Sequence, residues 1–394
     1  MIPYGKQYVD QSDIDAVVEV LKSSWLTQGP KIDEFEANIA QYVGSKYAVA
    51  VSSGTAALHL CGIVAELSED NSAVTSPITF IASSNMALFN NSNVLFCDVE
   101  EATINMDPAL LEKLLTENET VKAVVPVHYA GAVCDMKRIK ALCDSHDVVV
   151  IEDAAHALGA VYQDGSKVGC CAHSDMTIFS FHPVKSITAG EGGVITTNNE
   201  LYYKKLLRLR SHGITKLDDK FIMTEYSHSD GEVNPWYYEA QELGYHYRFT
   251  DIQAALANSQ LSKLNDFVEK RRFLATRYDN AFFKLPEINV IQLDMRTISS
   301  HHIYPVKIEF EKLKINRREF MFALKSKGIG SQVHYIPVPI HPVYVALGFK
   351  SEDFPVAMDY YSKCLSIPLY YSLTVSEQDN IIDAITTIVE INRL

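Results

Sequence analysis

The sequence predicts an α/β fold in which helices cover both faces of a large, mostly parallel sheet, followed by a smaller C-terminal α+β domain. From Tyr47 onward, helix-like stretches alternate with short apolar runs, which are YAVAV, AVTSP, NVLFCDV, VKAVVPV and DVVVIED. This alternation is typical of parallel strands joined by helical connections. With 394 residues, 47% of them hydrophobic, the chain can bury a large core and favours two packed domains over one.

Two amphipathic helices are predicted to precede the sheet. Apolar residues recur at helical spacing in two segments, first at Ile14, Val17, Val18 and Leu21, and then at Ile32, Phe35, Ile39 and Tyr42. Gly44 is placed to end the second helix. Between the two segments, WLTQGP contains a Gly-Pro step that breaks the helix, and it is either a turn with exposed backbone or a plain connector.

The pattern changes in the second half of the chain. MTIFSF and GGVITTN are predicted strands, and the second returns antiparallel after the Gly192-Gly193 turn. After Gly244, a long helical segment from about Thr250 to Phe283 precedes a separate set of strands and helices, which includes HIYPVKIEF, SQVHYI and a terminal helix from Ser376. We therefore place the domain boundary at this long helix, with a large domain at 1–250 and a small domain at 251–394.

Composition narrows the functional class. The formal net charge of -14 argues against a nucleic-acid binder, because duplex binding needs clustered Lys and Arg, although a few cations in a cleft can still attract an anionic small substrate. The seven cysteines form no CxxC pair, which favours reduced cytosolic thiols and no metal site. The N-terminus lacks a basic region followed by an apolar stretch, and no apolar segment reaches about 18 residues. We therefore expect a cytoplasmic protein without membrane or nucleic-acid partners.

The first candidate site directly follows YAVAV, where SSGTAAL (52–58) leads from a strand into a helix. Gly54 permits close approach of a ligand to the backbone, the unpaired amides at a helix start attract an anion, and the hydroxyl groups add donors. SSGT is also the pattern of an ordinary helix N-cap, so this motif alone does not decide between the two.

The second candidate site is IEDAAH (151–156), where an apolar strand ends in two acids. An acid at the carboxyl edge of a sheet is partly desolvated, so a cationic partner is needed to offset the cost of keeping it ionised. A protonated pyridine nitrogen would serve for Asp153, and His156 would lie one helical turn along the same face. A helix N-cap aspartate and a structural histidine are the alternatives.

The third candidate site is FSFHPVK (179–185), followed by Glu191, Gly192 and Gly193. A lysine at the end of an apolar strand can lie in a cleft where desolvation lowers its pKa, and it can then form a Schiff base. A lone lysine after a strand is otherwise a solvated surface residue. The order of the three sites carries more weight, since ligands of open α/β sheets bind beyond the carboxyl ends of the strands.

Together these motifs resemble those of fold-type I pyridoxal-phosphate enzymes. More narrowly, the chain resembles the DegT-type sugar-nucleotide aminotransferases over nearly its whole length, through SSGTAAL, PITFIASSNMAL, VHYAGAVCDM, IEDAAHALGA, FSFHPVK, GEGGVITTN, RSHGI and GYHYRFTDIQAAL. The resemblance implies pyridoxal 5′-phosphate as cofactor, with pyridoxamine 5′-phosphate as its aminated form. It also implies the fold-type I architecture for the sheet domain described above.

The resemblance assigns roles to individual residues. Lys185 would carry the cofactor, Asp153 would pair with its ring nitrogen, and His156 would lie beside the ring. The phosphate would be held by Gly54, Thr55, Ala56 and Ser180. Phe80 would stack on the ring, as a planar apolar side chain can, or be an ordinary core phenylalanine.

A shared active site in a homodimer is also implied. The family motif usually has the form G-x-N-x-R, with the Asn reaching the phosphate from the neighbouring subunit, but here the segment is GYHYR (244–248) and holds His246. An imidazole can still donate to a phosphate, and does so better when protonated. The replacement therefore makes this contact sensitive to pH.

The substrate implied is a sugar nucleotide. PWYYEAQELGYHYR and SQVHYIPVPIHPVY are most similar to the C4 aminotransferases of pseudaminic acid biosynthesis, which act on a UDP-linked 4-keto-6-deoxy-N-acetylhexosamine with glutamate as amino donor. Aromatic rings can cover sugar and base faces while cations meet the diphosphate. Candidate substrate contacts are Tyr4, Lys6, Thr27, Tyr237, Arg248, His334 and Tyr335. All could instead be ordinary residues of the fold.

The alternatives are another nucleotide-linked 3- or 4-keto-sugar, with UDP or dTDP as the nucleotide, and two other functional classes. A sugar dehydratase on the same fold would carry histidine in place of Lys185. A non-catalytic regulator would show a lost lysine or an added DNA-binding segment, and the sequence has neither. The expected chemistry is amino transfer in which Lys185 acts as acid and base in turn.

Overall fold

The computed structural model describes residues 1–216 and 221–394. Its α-helices are α1 (Gln11–Lys22), α2 (Pro30–Val43), α3 (Gly54–Val64), α4 (Ala82–Phe89), α5 (Pro108–Glu117), α6 (Met136–Ser145), α7 (Glu200–Leu209), α8 (Thr224–Ser227), α9 (Asp251–Ser262), α10 (Leu264–Phe282), α11 (Arg317–Ser326), α12 (Pro342–Ala346), α13 (Pro355–Lys363) and α14 (Val375–Asn392). Its strands are β1 (Tyr47–Val51), β2 (Ser72–Thr75), β3 (Asn93–Phe96), β4 (Val121–Val125), β5 (Val149–Asp153), β6 (Met176–Ser180), β7 (Gly193–Thr197), β8 (Ile214–Thr215), β9 (His228–Ser229), β10 (Glu232–Val233), β11 (Glu239–Ala240), β12 (Ile288–Val290), β13 (Tyr304–Ile308) and β14 (Cys364–Ile367).

The large sheet has seven strands in the order β1-β7-β6-β5-β4-β2-β3. Strands β3, β2, β4, β5 and β6 are parallel to one another, whereas β7 runs antiparallel to both β6 and β1. The predicted mostly parallel sheet and the antiparallel return of GGVITTN are therefore confirmed. Both predicted N-terminal helices are present as α1 and α2.

Two apolar layers enclose this sheet, because side chains of successive strand residues point to opposite faces. In β1, Ala48 and Ala50 join the core formed with α2, α5, α6, α9 and α10, while Val49 and Val51 join the core formed with α3, α4 and α7. Burial on both faces explains why the strands are nearly continuous apolar runs. Their carboxyl ends, where the motifs lie, meet at one edge.

The C-terminal region has its own three-stranded antiparallel sheet, in the order β12-β13-β14. Its core is formed by side chains of α10, α11, α14 and these strands. The division between domains at residue 250 stays a prediction. HIYPVKIEF forms β13 and the terminal helix begins at Val375, both close to the predicted positions.

The prediction of a strand at SQVHYI is wrong. Only Gln332 in this segment pairs with a strand, through two hydrogen bonds with Ser366. The chain then leaves the sheet, because the carbonyl of His334 accepts the hydroxyl of Tyr129 at 2.7 Å in place of a strand partner. This departure carries His334 and Tyr335 towards the carboxyl edge of the large sheet.

The long helix predicted from Thr250 to Phe283 consists of two helices, α9 and α10, which are separated at Lys263. The amide of Lys263 donates to the carbonyl of Gln260, three residues back, which tightens the turn and interrupts the α-helical pattern. The Lys263 ammonium lies 2.9 Å from Asp10 and 2.8 Å from Asp13. The break therefore ties both helices to the start of α1.

All seven cysteines are free and buried. Within residues 1–216 and 221–394, no helix combines the length and the apolar composition that a membrane crossing requires.

Gly213 sets the path of the chain just before the GYHYR segment. It has a φ of +67°, and a Cβ there would lie 2.0 Å from the carbonyl oxygen of Glu242. Gly213→Ala should therefore lower the free energy of unfolding by about 3 kcal/mol, from left-handed strain and backbone overlap together. The control is Gly231→Ala, at a φ of +85° with nothing within 4 Å of the added Cβ, which should cost about 1 kcal/mol. Urea unfolding at unchanged m-value measures both, and equal losses would contradict the overlap.

Candidate active site

A cavity of about 380 Å³ opens at the carboxyl ends of β1, β5 and β6. Ligands of open α/β sheets bind at this edge. Ten of the predicted site residues line the cavity: Tyr4, Gly54, Thr55, Phe80, Asp153, His156, Ser180, Lys185, His334 and Tyr335. The tertiary structure thus brings the three sequence motifs to one place.

The small-residue turn forms the start of α3 at the wall of this cavity. Gly54 and Thr55 are the first two helical residues, so their amides have no acceptor within the helix. A Cβ on Gly54 would lie 3.0 Å from the Cβ of Ser180, which indicates how closely the turn approaches the end of β6. The amide of Ala56 donates to the Ser53 hydroxyl at 3.0 Å, and Ala56 does not line the cavity. The amides of Gly54 and Thr55 and the Ser180 hydroxyl are therefore hydrogen-bond donors at the wall of the cavity.

Asp153 is the last residue of β5, and its side chain lines the cavity although the residue is only 5% exposed. One carboxylate oxygen accepts the hydroxyl of Ser83 at 2.6 Å. The other accepts the amide of Ala155 at 3.1 Å. The carboxylate is therefore held by the protein on both oxygens while it remains accessible from the cavity.

Glu152, the preceding residue, has a different environment. Its fully buried carboxylate accepts hydrogen bonds from His128, Tyr162, Ser174 and Thr177. Burial alone would raise the pKa of Glu152, but the bonds from His128, Ser174 and Tyr162 more than offset it and lower the pKa below its ordinary value. The two adjacent acids thus have separate roles, and Glu152 joins β5 to its neighbouring segments.

Lys185 follows β6 at a turn in which its amide donates to the carbonyl of His182 at 2.9 Å. The side chain is partly exposed to the cavity but surrounded by protein. Desolvation lowers the pKa of its ammonium group to about 8, although the charge of Asp153 acts in the opposite direction. Part of the lysine population is consequently an uncharged amine near neutral pH.

Three histidines and a tyrosine also line the cavity. The Tyr335 hydroxyl lies 3.0 Å from Nε2 of His156, and the His302 ring centroid lies 4.3 Å from that of His156. Burial, and then the neighbouring charge of Lys185, lowers the pKa of His334 to about 4. Burial also lowers the pKa of His156 and His302 well below the ordinary value. These shifts favour the neutral imidazole, in which one ring nitrogen donates a hydrogen bond and the other accepts one.

Besides Ala56, five predicted site residues do not line the cavity within one chain, and their roles stay predictions. Lys6 borders a small neighbouring cavity that Lys185 also lines. Thr27 pairs with Thr250, and Tyr237 donates to Glu239 at 2.8 Å. His246 stacks on His212 at 5.4 Å between ring centroids, and Arg248 donates to Ser211 at 2.9 Å.

Other residues at the site were not selected from the sequence. His302 lies in the pair HH (301–302), a signal that could have been found, and Ser83 lies in the quoted segment PITFIASSNMAL, of which only Phe80 was selected. Further lining residues outside the prediction include Ser53, Thr79, His182 and Glu191. Ser83 contacts Asp153 across 70 residues, which no local motif encodes.

The residues present fit pyridoxal 5′-phosphate. The amides at the start of α3 suit a phosphate, the Asp153 carboxylate suits a protonated ring nitrogen, and the Lys185 amine suits an aldehyde. The Nδ1 atom of His156 is buried without a hydrogen-bond partner among the described residues, as expected if a ligand completes the site. The exposed ring of Phe80 lies on the same cavity.

Comparisons with known proteins agree with this fit. The family model described as the DegT/DnrJ/EryC1/StrS aminotransferase family matches residues 7–386. The spore coat polysaccharide biosynthesis protein SpsC of Bacillus subtilis is 38% identical over 391 residues, which cover 99% of this chain and 97% of SpsC. The UDP-4-amino-4,6-dideoxy-N-acetyl-β-L-altrosamine transaminase of Campylobacter jejuni is 36% identical over 391 residues, which cover 99% of this chain and 98% of that enzyme.

Solved structures show the same fold. Helicobacter pylori PseC, an aminotransferase involved in the biosynthesis of pseudaminic acid, matches with a TM-score of 0.89 and 31% identity over 99% of both chains. Spr1654 of Streptococcus pneumoniae, provisionally named a sugar aminotransferase, matches in its PLP form with a TM-score of 0.88 and 30% identity, over 99% of this chain and 98% of that one. Its PMP form matches with the same TM-score. This chain therefore belongs to the DegT/DnrJ/EryC1/StrS aminotransferase family and is a pyridoxal-phosphate-dependent sugar aminotransferase.

Proposed function

We propose that the chain transfers the amino group of L-glutamate to C4 of a UDP-linked 4-keto-6-deoxy-N-acetylhexosamine, as in pseudaminic acid biosynthesis. One observation supports amino transfer most directly: Lys185 lies in the same cavity as the Asp153 carboxylate and the start of α3. The pKa of the Lys185 amine is lowered there to about 8. The names of the Campylobacter transaminase and of PseC support the substrate. We place the reaction in the cytoplasm.

The proposed roles at the cofactor follow from what each group can bind. When bound, pyridoxal 5′-phosphate supplies an electron-accepting ring and an aldehyde that takes up the amino group. Asp153 holds the positive charge of the ring nitrogen, and the amides of Gly54 and Thr55 with the Ser180 hydroxyl hold the phosphate. Phe80 covers one face of the ring.

Proton transfer is the proposed work of Lys185. Its uncharged amine takes the proton from Cα of glutamate. The resulting ammonium group then gives a proton to the cofactor carbon that carried the aldehyde. Neutral His156 holds its own position through the Tyr335 hydroxyl and offers Nδ1 to a group bound in the cavity. In the second half of the cycle, the same lysine moves protons in the reverse order towards the keto-sugar.

The sugar nucleotide is proposed to bind beside Tyr4, His334 and Tyr335, which line the cavity. Among the described residues that line this cavity, Lys185 is the only lysine or arginine. A diphosphate needs cationic partners. We therefore propose a homodimer in which the partner subunit supplies the remaining contacts, through the segment that contains His246 and Arg248.

The test of the substrate is a direct assay. Purified protein with pyridoxal 5′-phosphate and L-glutamate is incubated with UDP- and dTDP-linked 4-keto-sugars and with a 3-keto-sugar nucleotide. Glutamate alone yields at most one equivalent of 2-oxoglutarate per bound cofactor, so we expect formation beyond this equivalent only with the UDP-linked 4-keto-6-deoxy-N-acetylhexosamine. NMR of the product should place the new amine at C4. A clear preference for dTDP-linked or 3-keto substrates, or a deoxygenated product without an amine, would overturn the proposal.

The lowered pKa of Lys185 predicts how cofactor attachment depends on pH. Only an unprotonated amine attacks an aldehyde, so the rate of covalent attachment to the apoprotein should rise about tenfold per pH unit below about pH 8 and level off above it. Stopped-flow absorbance between about pH 6 and about pH 10 measures this rate. A rate that continues to rise towards the ordinary lysine pKa of 10.5 would contradict the desolvated setting.

A further inference from the structure

Ser83 makes a contact with Asp153 that suggests a role in cofactor binding. We infer that Ser83 is a positioning residue, which orients the Asp153 carboxylate towards the ring nitrogen of the cofactor, with Thr79 as its own hydrogen-bond donor. This inference rests on the proposed role of Asp153. It assigns a function to the hydroxyl groups of Ser83, in the first turn of α4, and of Thr79, which precedes this helix.

Ser83 is buried, and its hydroxyl lies close to three oxygen atoms of neighbouring residues. Ser83 is 2% exposed, and its hydroxyl lies 2.6 Å from Oδ2 of Asp153, 2.8 Å from the Thr79 hydroxyl and 3.2 Å from the carbonyl oxygen of Phe80. The distance to Asp153 is the shortest of the three, and hydrogen bonds to a carboxylate are shorter and stronger than bonds between neutral groups. The single proton of Ser83 is therefore donated to Asp153.

This donation fixes the direction of the remaining hydrogen bond. Because Ser83 donates its only hydroxyl proton to Asp153, its oxygen accepts a hydrogen bond from the Thr79 hydroxyl at 2.8 Å. Thr79 lines the cavity. The hydroxyls of Thr79 and Ser83 thus form a chain that ends on the carboxylate. Hydrogen bonds in such a chain polarise one another, so each strengthens the next.

The second carboxylate oxygen is held independently. Oδ1 of Asp153 accepts the amide of Ala155 at 3.1 Å, from the backbone just after β5. With one donor on each oxygen, the carboxylate plane cannot rotate without breaking a bond. Each oxygen keeps lone-pair capacity for one further donor from the cavity. A ring nitrogen bearing a proton is such a donor, and a fixed carboxylate binds it without losing orientational freedom.

The experiment compares Ser83→Ala with a control on the same helix. Ser84 is 0% exposed, donates to the carbonyl of Ile81 at 2.9 Å and contacts the Tyr344 hydroxyl at 2.6 Å, but it does not contact Asp153. Ser83→Ala should weaken pyridoxal 5′-phosphate binding by the apoprotein about tenfold, the effect of losing a hydrogen bond to a charged group. Ser84→Ala should leave this affinity within about twofold. Fluorescence titration gives both dissociation constants, and thermal unfolding of the apoproteins shows that both variants fold.

A second ligand separates orientation of Asp153 from general structural damage. It is an analogue of pyridoxal 5′-phosphate in which a C–H group replaces the ring nitrogen. Because Asp153 has nothing to bind there, wild type and Ser83→Ala should bind this analogue within about twofold of each other. Thr79→Val, which removes the donor to Ser83, should cause a smaller loss of about threefold with the natural cofactor only.

The outcomes distinguish this inference from the proposal on which it rests. If wild type prefers pyridoxal 5′-phosphate over the analogue and Ser83→Ala retains the whole preference, the inference about Ser83 fails and the role of Asp153 stands. Equal losses of both ligands in Ser83→Ala also overturn it, because the serine would then be merely structural. If wild type binds the two ligands equally well, the role of Asp153 fails and the inference fails with it.

Discussion

Lys185→Ala should lower the turnover number at least about 10⁴-fold, because the same amine attaches the cofactor and moves the protons of both half-reactions. The variant should also lose covalent retention of the cofactor. Borohydride reduction of the wild-type protein followed by peptide mapping should find a pyridoxyl group on Lys185, and the variant should carry none. The fold should persist, since the side chain lies in a cavity and packs into neither apolar core.

Lys167→Ala is the matched control for this substitution. Burial also lowers the pKa of Lys167, whose ammonium lies 3.5 Å from the centre of the Tyr42 ring, but it does not line the cavity. This variant should keep its turnover and its borohydride label within about twofold of wild type. Retention of turnover or of a pyridoxyl label in Lys185→Ala would exclude Lys185 as the attachment site. The presence of a lysine at this position would then no longer distinguish a transaminase from a sugar dehydratase.

Asp153→Asn should lower the turnover number by about 10²- to 10³-fold, a loss of the size seen when a preorganised electrostatic partner is removed. The amide keeps the shape of the carboxylate but not the charge that holds a proton on the ring nitrogen. The Ser83 hydroxyl at 2.6 Å can then donate only to the amide oxygen, which is a weaker acceptor. Steady-state kinetics and the absorbance of the bound cofactor as a function of pH measure the two effects.

Asp98→Asn provides the comparison with an equally buried acid. Asp98 is 6% exposed and accepts the amides of Val356 and Ala357 at 3.0 Å, away from the cavity. Its replacement should lower stability while leaving the absorbance of the bound cofactor unchanged. A turnover number for Asp153→Asn within about threefold of wild type would mean that Asp153 does not hold the ring nitrogen.

Glu152 and Asp153 show why the tertiary structure is needed to separate neighbouring candidates. They are adjacent acids of one type in one motif, and alternation along β5 places them on opposite faces. Glu152 meets four hydroxyl or imidazole donors inside the protein, whereas Asp153 meets Ser83, the Ala155 amide and the cavity. The family resemblance assigned the ring-nitrogen role to Asp153 and not to Glu152. The contacts supply a physical reason for this assignment.

Local signals were sufficient to predict the layered fold and the convergence of the three motifs on one cavity. Apolar runs identified the strands of the large sheet, and the three motifs each followed one of these runs. Because the carboxyl ends of parallel strands meet at one edge, their order along the chain was enough to predict that Gly54, Asp153 and Lys185 would share a cavity. The mostly parallel sheet, with its antiparallel return at β7, is the architecture that makes this inference work.

What the sequence determined by itself was the set of strands, the family and the groups offered at each strand end, since these depend on residues that are neighbours along the chain. Only the tertiary structure decided which distant side chains meet them. Ser83 reaches Asp153, Tyr335 reaches His156, and His302 lies against the same imidazole. Such contacts arise from the packing of whole elements, as in the departure of residues 333–336 from the small sheet, and packing is a property of the folded chain that no local pattern contains.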